Sequence, residues 1–342
     1  MKIEDREVGP NEPPIIIAEV GINHEGNVDK AKKMVRDAAE SGAECVKFQM
    51  HVLESEMIDE DVKPGNSDES VREIMERCSL SRSEHEELKE LTEDLGMIYL
   101  CTPFSRAAAD ILADMEVDAF KIGSGECNNY PLIRHISSFG KPVILSTGMN
   151  DLESIDVSVN ILKEAGVEYA LLQCTSMYPT PDEYVNLGAM EQLRDSFSAE
   201  AVGLSDHSEG IQISLGAIGK GADIIEKHFI SNKNWPGPDV PVSINPTELE
   251  ELITGSERIH KALGGGKKVL DGEESTIKFA YASVVATTEI EEGDKLSKSN
   301  TWVKRPGTGE IQADEYHKVV GSHANQEISE GTQLKWDMID DG

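Results

Sequence analysis

No apolar run in this chain of 342 residues approaches the roughly 20 residues needed to span a bilayer, so no membrane partner is expected. Basic residues are scarce, with 32 Lys and Arg against 64 Asp and Glu and a formal net charge of −32. Such a surface repels phosphate backbones, which argues against a nucleic-acid partner. The surplus is spread rather than blocked, since the stretch from Tyr281 onward holds 12 acids and 6 bases. That distribution predicts a uniformly solvated acidic surface, of the kind a salty cytoplasm screens, and not an interaction tail. Cysteine is sparse too: Cys45, Cys78, Cys101, Cys127 and Cys174 form no CxxC pair. Neither structural zinc nor disulfides are called for, and the three in or beside predicted strands suit small buried hydrophobes. The N-terminus, with Glu4, Asp5 and Glu12, lacks the basic and apolar segments of a signal peptide, so a cytoplasmic protein is expected.

What the chain does have is alternation. Short β-branched runs at 15–20, 45–50, 98–102, 119–123, 143–147, 169–175, 201–205 and 223–229 are separated by amphipathic helical stretches. They are mostly apolar, as strands covered by helices must be, and predict an α/β fold, a parallel (β/α)₈ barrel. Ser81 followed by Glu84 predicts a capped helix through Asp94, and Asn245-Pro246 with Glu248 opens the last barrel helix. An insertion over 51–80, with a short helix near Val71–Cys78, falls on the face where barrels carry their chemistry and is a candidate lid. The expected domains are a barrel over 1–266, a linker over 267–281 and a small β-rich domain over 282–342. That last domain is too small for much of a core, so packing on another subunit is plausible.

In a (β/α)₈ barrel the catalytic groups project from the C-terminal strand ends. Those ends read Glu19, Lys47, Thr102, Lys121 with Glu126, Ser146, Ser176 with Tyr178, His207 and His228. A lysine mid-strand in an apolar barrel is costly unless it meets an anion. Phosphate or carboxylate is the natural partner of Lys47 and Lys121, with Thr102, Ser124 and Ser146 as hydroxyl donors; internal pairing with Glu19 or Glu126 is the alternative. Gly123-Ser124-Gly125 and Thr147-Gly148 would let backbone amides approach the anion. His207 and His228, at neighbouring strand ends, suit one shared divalent ion with open positions, Mn²⁺ first, then Mg²⁺ or Co²⁺. Asp206 and Glu226 flank them and could orient the rings.

Six strings carry a resemblance: Glu19-Val-Gly-Ile-Asn-His-Glu-Gly26, Thr102-Pro-Phe-Ser-Arg106, Lys121-Ile-Gly-Ser-Gly-Glu-Cys-Asn-Asn129, Leu145-Ser-Thr-Gly-Met149, Gly203-Leu-Ser-Asp-His207 and Pro236-Gly-Pro-Asp239. In order and nearly without gaps, the chain resembles the bacterial-type N-acetylneuraminate (sialic acid) synthases. Its tail, with Trp302-Val-Lys-Arg-Pro306, is similar to their C-terminal antifreeze-like (SAF) domain. The resemblance implies condensation of phosphoenolpyruvate with open-chain N-acetylmannosamine, releasing phosphate. It implies a catalytic Glu19, Glu126, Lys47 and Lys121, with Glu126 favoured as base, and a metal on His207 and His228. Gln49, Asn66, Tyr178 and Asp239 match sugar-contacting positions, whereas Ser176 stands where those synthases have an asparagine touching phosphate, so that contact is shorter or lost here. Arg305 matches an arginine that reaches a partner's barrel, implying a homodimer with swapped C-terminal domains. The same family implies a competing acceptor, a 2,4-diacetamido-6-deoxy sugar leading to legionaminate or pseudaminate. Phe48 and Met50 stand where relatives have more polar residues beside the lysine.

Overall fold

An antiparallel hairpin, β1 (Lys2–Ile3) with β2 (Arg6–Glu7), precedes eight parallel strands in the computed structural model, which describes residues 1–60, 62, 63 and 69–340. The strands are β3 (Ile15–Gly21), β4 (Cys45–Met50), β5 (Ile98–Pro103), β6 (Phe120–Ile122), β7 (Val143–Ser146), β8 (Tyr169–Cys174), β9 (Ala201–Asp206) and β10 (Ile224–His228). Each falls on one of the expected runs. Their order is β5-β4-β3-β10-β9-β8-β7-β6, with β5 packed beside β6, so the sheet wraps into the expected barrel.

Period-2 alternation then sorts every strand residue into an inner or an outer layer. Ile15 and Ile17, Cys45, Ile98 and Leu100, Ala119, Ile144, Ala170 and Leu172, Ala201 and Ile224 point inward as one cluster. They fill the N-terminal half of the barrel, and the hairpin's Met1, Ile3 and Val8 plug its end. Ile16, Val46, Tyr99, Phe120, Leu145, Leu171, Val202 and Ile225 face the helices in the larger outer cluster. Each fully buried aliphatic side chain contributes about 1.5–3 kcal/mol. Continuing the inward series toward the C-terminal ends gives Glu19, Lys47, Thr102, Lys121, Ser146, Cys174, Ser205, Glu226 and His228. The inner wall therefore turns from apolar to charged within one or two residues of each strand. Phe48 and Met50 lie on the outer layer, where Phe48 stacks on Tyr99 with centroids 5.7 Å apart. They do not stand beside the lysine as site residues.

The covering helices are α1 (Val28–Glu40), α2 (Leu53–Glu56), α3 (Val71–Cys78), α4 (Arg82–Asp94), α5 (Arg106–Asp114), α6 (Tyr130–Ser137), α7 (Leu152–Ala165), α8 (Ala189–Ser196), α9 (Gln212–Gly219) and α10 (Pro246–Ala262). Both expected capping boxes form, Ser81 with Glu84 and Asn245 with Glu248. A third, Ser70 with Glu73, starts α3 in the insertion.

Residues Met1–Gly264 and Gly265–Gly342 are separate compact units. The second contains α11 (Glu274–Ala280), β11 (Ser283–Ala286), β12 (Thr301–Lys304), α12 (Tyr316–Val319), β13 (His323–Ala324) and β14 (Ile339–Asp340). It has a core of its own, built on Val284, Ile290, Leu296, Ile311, Val319 and Leu334. Among the described residues, no helix is long and apolar enough to cross a membrane.

Gly203 fixes the spacing beneath the chemical end of β9 and β10. A Cβ there would sit 2.0 Å from the Ile224 carbonyl oxygen, closer than any real contact. Gly203→Ala is expected to cost about 3 kcal/mol or more, read as a lower denaturant midpoint. An unchanged midpoint would mean that the two strands do not approach this closely.

Candidate active site

Four ionic side chains meet in the barrel at the level where its wall becomes charged. Register sets Glu19 beside both Lys47 and His228. Lys47 Nζ lies 2.8 Å from Glu19 Oε2 and 3.7 Å from Glu226 Oε2, while Lys121 Nζ lies 3.4 Å from Glu226 Oε1. Glu226 thus bridges the two lysines, and Ser205 Oγ donates to its Oε1 at 2.9 Å. Lys47 also donates to Thr102 Oγ1 at 3.0 Å and Lys121 to Ser146 Oγ at 2.8 Å. Lys47 and Lys121 are only 3% and 2% exposed, so these contacts replace nearly all of their hydration.

Glu226 is the residue that sequence reasoning misplaced. Its neighbour Asp206 faces outward, paired with Lys227 at 3.1 Å and accepting from Ser208 and Ser214. Neither carboxylate orients a histidine ring as expected. The alternation Ile224, Glu226, His228 against Ile225, Lys227 is the signal that separates them.

The balance of burial against charge differs around the cluster. Burial works to raise the Glu226 carboxyl, but Lys121 and then Lys47 outweigh it, and its pKa falls below the ordinary value. Burial raises that of Glu19, with Lys47 pulling back. Burial would lower Lys47, yet Glu19 and Glu226 together hold it above the ordinary value. Lys121, with one close carboxylate, is lowered by burial.

Beside Lys121 the chain leaves a cradle. A Cβ on Gly148 would meet Ser176 Oγ at 2.6 Å, Ser124 Oγ at 2.8 Å and Cys174 Sγ at 3.1 Å. The Gly148 amide donates to Ser124 Oγ at 3.0 Å, and Asn150 Nδ2 pins the loop through the carbonyls of Ser124 and Gly148. Met149, next in line, has φ +62°, a strained value of the sort that collects at functional turns. Ser124 and Ser176 thus meet at Gly148, while Ser146 stands on Lys121.

The two histidine rings are 5.3 Å apart by centroid, and Tyr178 packs on His207 at 4.1 Å. His207 Nδ1 lies 3.1 Å from the Thr175 carbonyl oxygen. Because a carbonyl only accepts, Nδ1 carries a proton. Burial works to lower the His207 pKa, but Cys174 and the Thr175 carbonyl outweigh it and hold it above the ordinary value. Burial, then His207 and Lys47, holds the His228 pKa well below the ordinary value, so this ring is neutral. His228 Nδ1 is buried without a hydrogen bond, 3.7 Å from Asp239 Oδ2. The Asp239 carboxyl is pushed up to about 6, by burial and then by Glu19. A pair of imidazoles at neighbouring strand ends, of which His228 is neutral and has an orphaned nitrogen, fits a divalent cation completed by water or ligand oxygens. Among the described residues, the one group of three or more His, Cys, Asp or Glu ligand atoms within 4.8 Å of one another is Glu4, Glu93 and Asp118. It lies at the opposite, plugged end.

Gln49 Nε2 donates to Glu19 Oε1 at 3.0 Å, and Gln49 Oε1 faces His51 Nε2 at 3.3 Å. His51 Nδ1 in turn lies 3.0 Å from Glu56, extending the network into the insertion. His51 follows the last residue of β4, a place that already put it close to the mouth, while its partner Glu56 was not expected. His24 accepts from the Gly26 amide and stays neutral, its pKa lowered by burial to about 4. Glu126 is not brought to the lysines. It accepts from Asn129 Nδ2 at 2.5 Å and lines a cavity with Glu56 and Phe104. Asn66 lies outside the described residues, and Arg305 is exposed on the second unit.

A profile of the NeuB family matches residues 34–268 and one of the SAF domain matches residues 281–340. N,N'-diacetyllegionaminic acid synthase of Campylobacter jejuni is 38% identical, over 94% of this chain and 98% of that protein. Human N-acetylneuraminate-9-phosphate synthase is 32% identical, over 98% and 95%. The crystal structure of N-acetylneuraminic acid (sialic acid) synthetase from Leptospira borgpetersenii is 32% identical with a TM-score of 0.72, over 81% of this chain and 94% of that one.

Removing one member of a buried ion cluster costs about 3–5 kcal/mol. Glu226→Gln is therefore expected to be far more destabilising than Glu126→Gln, which is half-buried and touches no lysine. The sign with pH also follows. With a depressed folded pKa, Glu226 stabilises above its unfolded value, and that stability is lost as pH falls below it. Unfolding between pH 6 and 3 should show a shallower acid limb in Glu226→Gln than in the wild type. Equal limbs and equal midpoints would remove Glu226 from the centre of the cluster.

Proposed function

The chain belongs to the NeuB family, and from that premise we propose that it condenses phosphoenolpyruvate with the open-chain form of an N-acylated amino-hexose. The products are phosphate and a nine-carbon 2-keto sugar acid. The observation that carries this reading is the pairing of two buried lysines with a glycine cradle at one end of the same cluster. Such an arrangement suits a small donor with a carboxylate at one end and a phosphate at the other.

In this reading Lys121, Ser146 and the Ser124–Gly148–Ser176 cradle receive the phosphate, while Lys47 and Thr102 receive the carboxylate. Each arriving anion takes over part of the charge that Glu19 and Glu226 balance in the free protein. His207 and His228 would hold a divalent cation, Mn²⁺ by preference, which supplies Lewis acidity toward the sugar's aldehyde oxygen. A bond forms between C3 of phosphoenolpyruvate and the aldehyde carbon, whose oxygen becomes a hydroxyl. C2 is left electron-poor and takes up water. Glu19, with a carboxyl raised by burial and held by Gln49, is the residue best suited to accept that water's proton. The bond from C2 to the bridging phosphate oxygen then breaks and phosphate leaves with the electron pair. Of the two protons the added water loses, one completes the new hydroxyl and the other leaves with phosphate as C2 becomes the ketone. Glu126, facing Asn129, is set aside for this step.

N-acetylmannosamine and 2,4-diacetamido-6-deoxy sugars both belong to the acceptor class. The relatives' names differ over the end of the sugar remote from the aldehyde, one being named for a 9-phosphate and another for N,N'-diacetyllegionaminic acid. The reading includes a homodimer in which Arg305 of a second copy meets the N-acyl group.

Phosphate release from phosphoenolpyruvate with an N-acylated mannosamine and Mn²⁺ is the direct assay. Release should stop on chelation and return with metal. His207→Ala should lower kcat about a hundredfold or more with the thermal midpoint of the barrel retained. Undiminished release by chelated enzyme would overturn the metal's role. Arg305→Ala is expected to raise KM for the sugar more than for phosphoenolpyruvate; equal rises would count against the swapped contact.

A further inference from the structure

Two cavities continue the site outward beneath α3. One, of about 190 Å³, is lined by Ile22, Val71, Ile74, Met75, Tyr178, Pro238 and Asp239. The other, of about 410 Å³, shares Ile74 and Pro238 with it and adds Glu25, Glu69 and Arg77. Tyr178 and Asp239 also touch the histidine pair, at 4.1 Å from the His207 centroid and 3.7 Å from His228. An acceptor with its aldehyde at those histidines and its chain running outward past Asp239 and Tyr178 therefore enters this space.

We infer that the α3 wall selects an acceptor whose far end is uncharged and partly apolar, a deoxy or acylamino terminus, and rejects a sugar phosphate. The inference rests on the reaction proposed above. Ile22, Ile74 and Cys78 form a small buried cluster with Met75 packed on it, a surface that gains from covering a methyl group and gives a hydroxyl or phosphate nothing to bond. Charge points the same way. Of the described residues lining the two cavities, Arg77 is the one cation, and it is already committed. Its Nη1 lies 2.9 Å from Glu25 and its Nη2 2.8 Å from Glu69. A phosphate brings about 1.5–2 negative charges at neutral pH. It would meet three carboxylates, those of Glu25, Glu69 and Asp239, with no uncommitted cation among them. Its desolvation would go uncompensated.

Three acceptors offered in parallel test this by kcat/KM for phosphate release: 2,4-diacetamido-2,4,6-trideoxymannose, N-acetylmannosamine and N-acetylmannosamine 6-phosphate. The expected order is diacetamido sugar first and the 6-phosphate last, by about a hundredfold or more. A 6-phosphate equal to or better than the others would overturn the inference and leave the condensation reading standing. No release with any of the three would sink that reading, and this inference with it. Two variants tie the preference to the wall. Met75→Lys, at a half-exposed position on the cavity, should narrow the gap between the diacetamido sugar and the 6-phosphate about tenfold. Glu25→Gln with Glu69→Gln, which releases Arg77, should narrow it in the same direction. In both, KM for phosphoenolpyruvate should hold. An unchanged gap in both, in enzyme that still turns over, would move selection away from α3.

Discussion

Two ammonium groups buried in an apolar barrel cannot stand without carboxylates, and the chemical end of this protein is arranged around meeting that need. Lys47 and Lys121 share Glu226, and Lys47 has Glu19 as well. The pairing is the condition for keeping the lysines charged and dry until an anion arrives. It also leaves Glu226 Oε2 buried and without a hydrogen bond. Such a cluster is costly for stability, since a set of apolar side chains in its place would pack at least as well. The cluster makes sense as preorganisation, with positive charge fixed where the carboxylate and phosphate of the proposed donor would sit and no reorganisation needed on binding.

The strand positions that hold this cluster depend in turn on what lies beneath it. The inward residues of the lower barrel are branched aliphatics and small side chains, sealed by Met1, Ile3 and Val8 of the hairpin. Gly203 lets β9 approach β10, which sets Ser205 within reach of Glu226. A rigid apolar floor therefore fixes the register from which the charged layer rises. The second unit, by contrast, carries its own small core around Val284, Leu296 and Leu334, more than its length suggested.

Much of this was legible in the chain. The eight runs were visible because parallel strands buried on both faces must be short and apolar, and the caps of α4 and α10 because Ser81 and Asn245 each precede a glutamate by three. The lysines, hydroxyls, Gly148 and both histidines were found by asking which residues end the strands. What failed was sidedness. Asp206 and Glu226 look alike as neighbours of histidines, yet one residue's difference in register sends Asp206 to Lys227 and Glu226 to the lysines. Glu126 follows β6 within a turn of 3₁₀ helix, Ser124–Glu126, where period-2 alternation no longer predicts direction. The link from Glu56 through His51 to Gln49 escaped notice because no spacing announces such a contact.

The proposed division of labour would let one barrel keep its condensation chemistry while the acceptor changes. The groups proposed to handle phosphoenolpyruvate sit on barrel strands or within a few residues of their ends, where any shift in register would break several contacts at once. The wall proposed to meet the far end of the sugar is made mostly of α3 and the Pro236–Asp239 segment, and α3 is held to the loop after β3 by Ile74 and Cys78 on Ile22 and by the Arg77–Glu25 ion pair. Substitutions at Val71, Ile74 or Met75 alter what α3 presents to the cavity without touching a strand. The donor site is bound to the architecture, whereas the acceptor wall is free to vary. In the proposed reading, acceptor choice is set by the insertion after β4 and the condensation itself by the barrel.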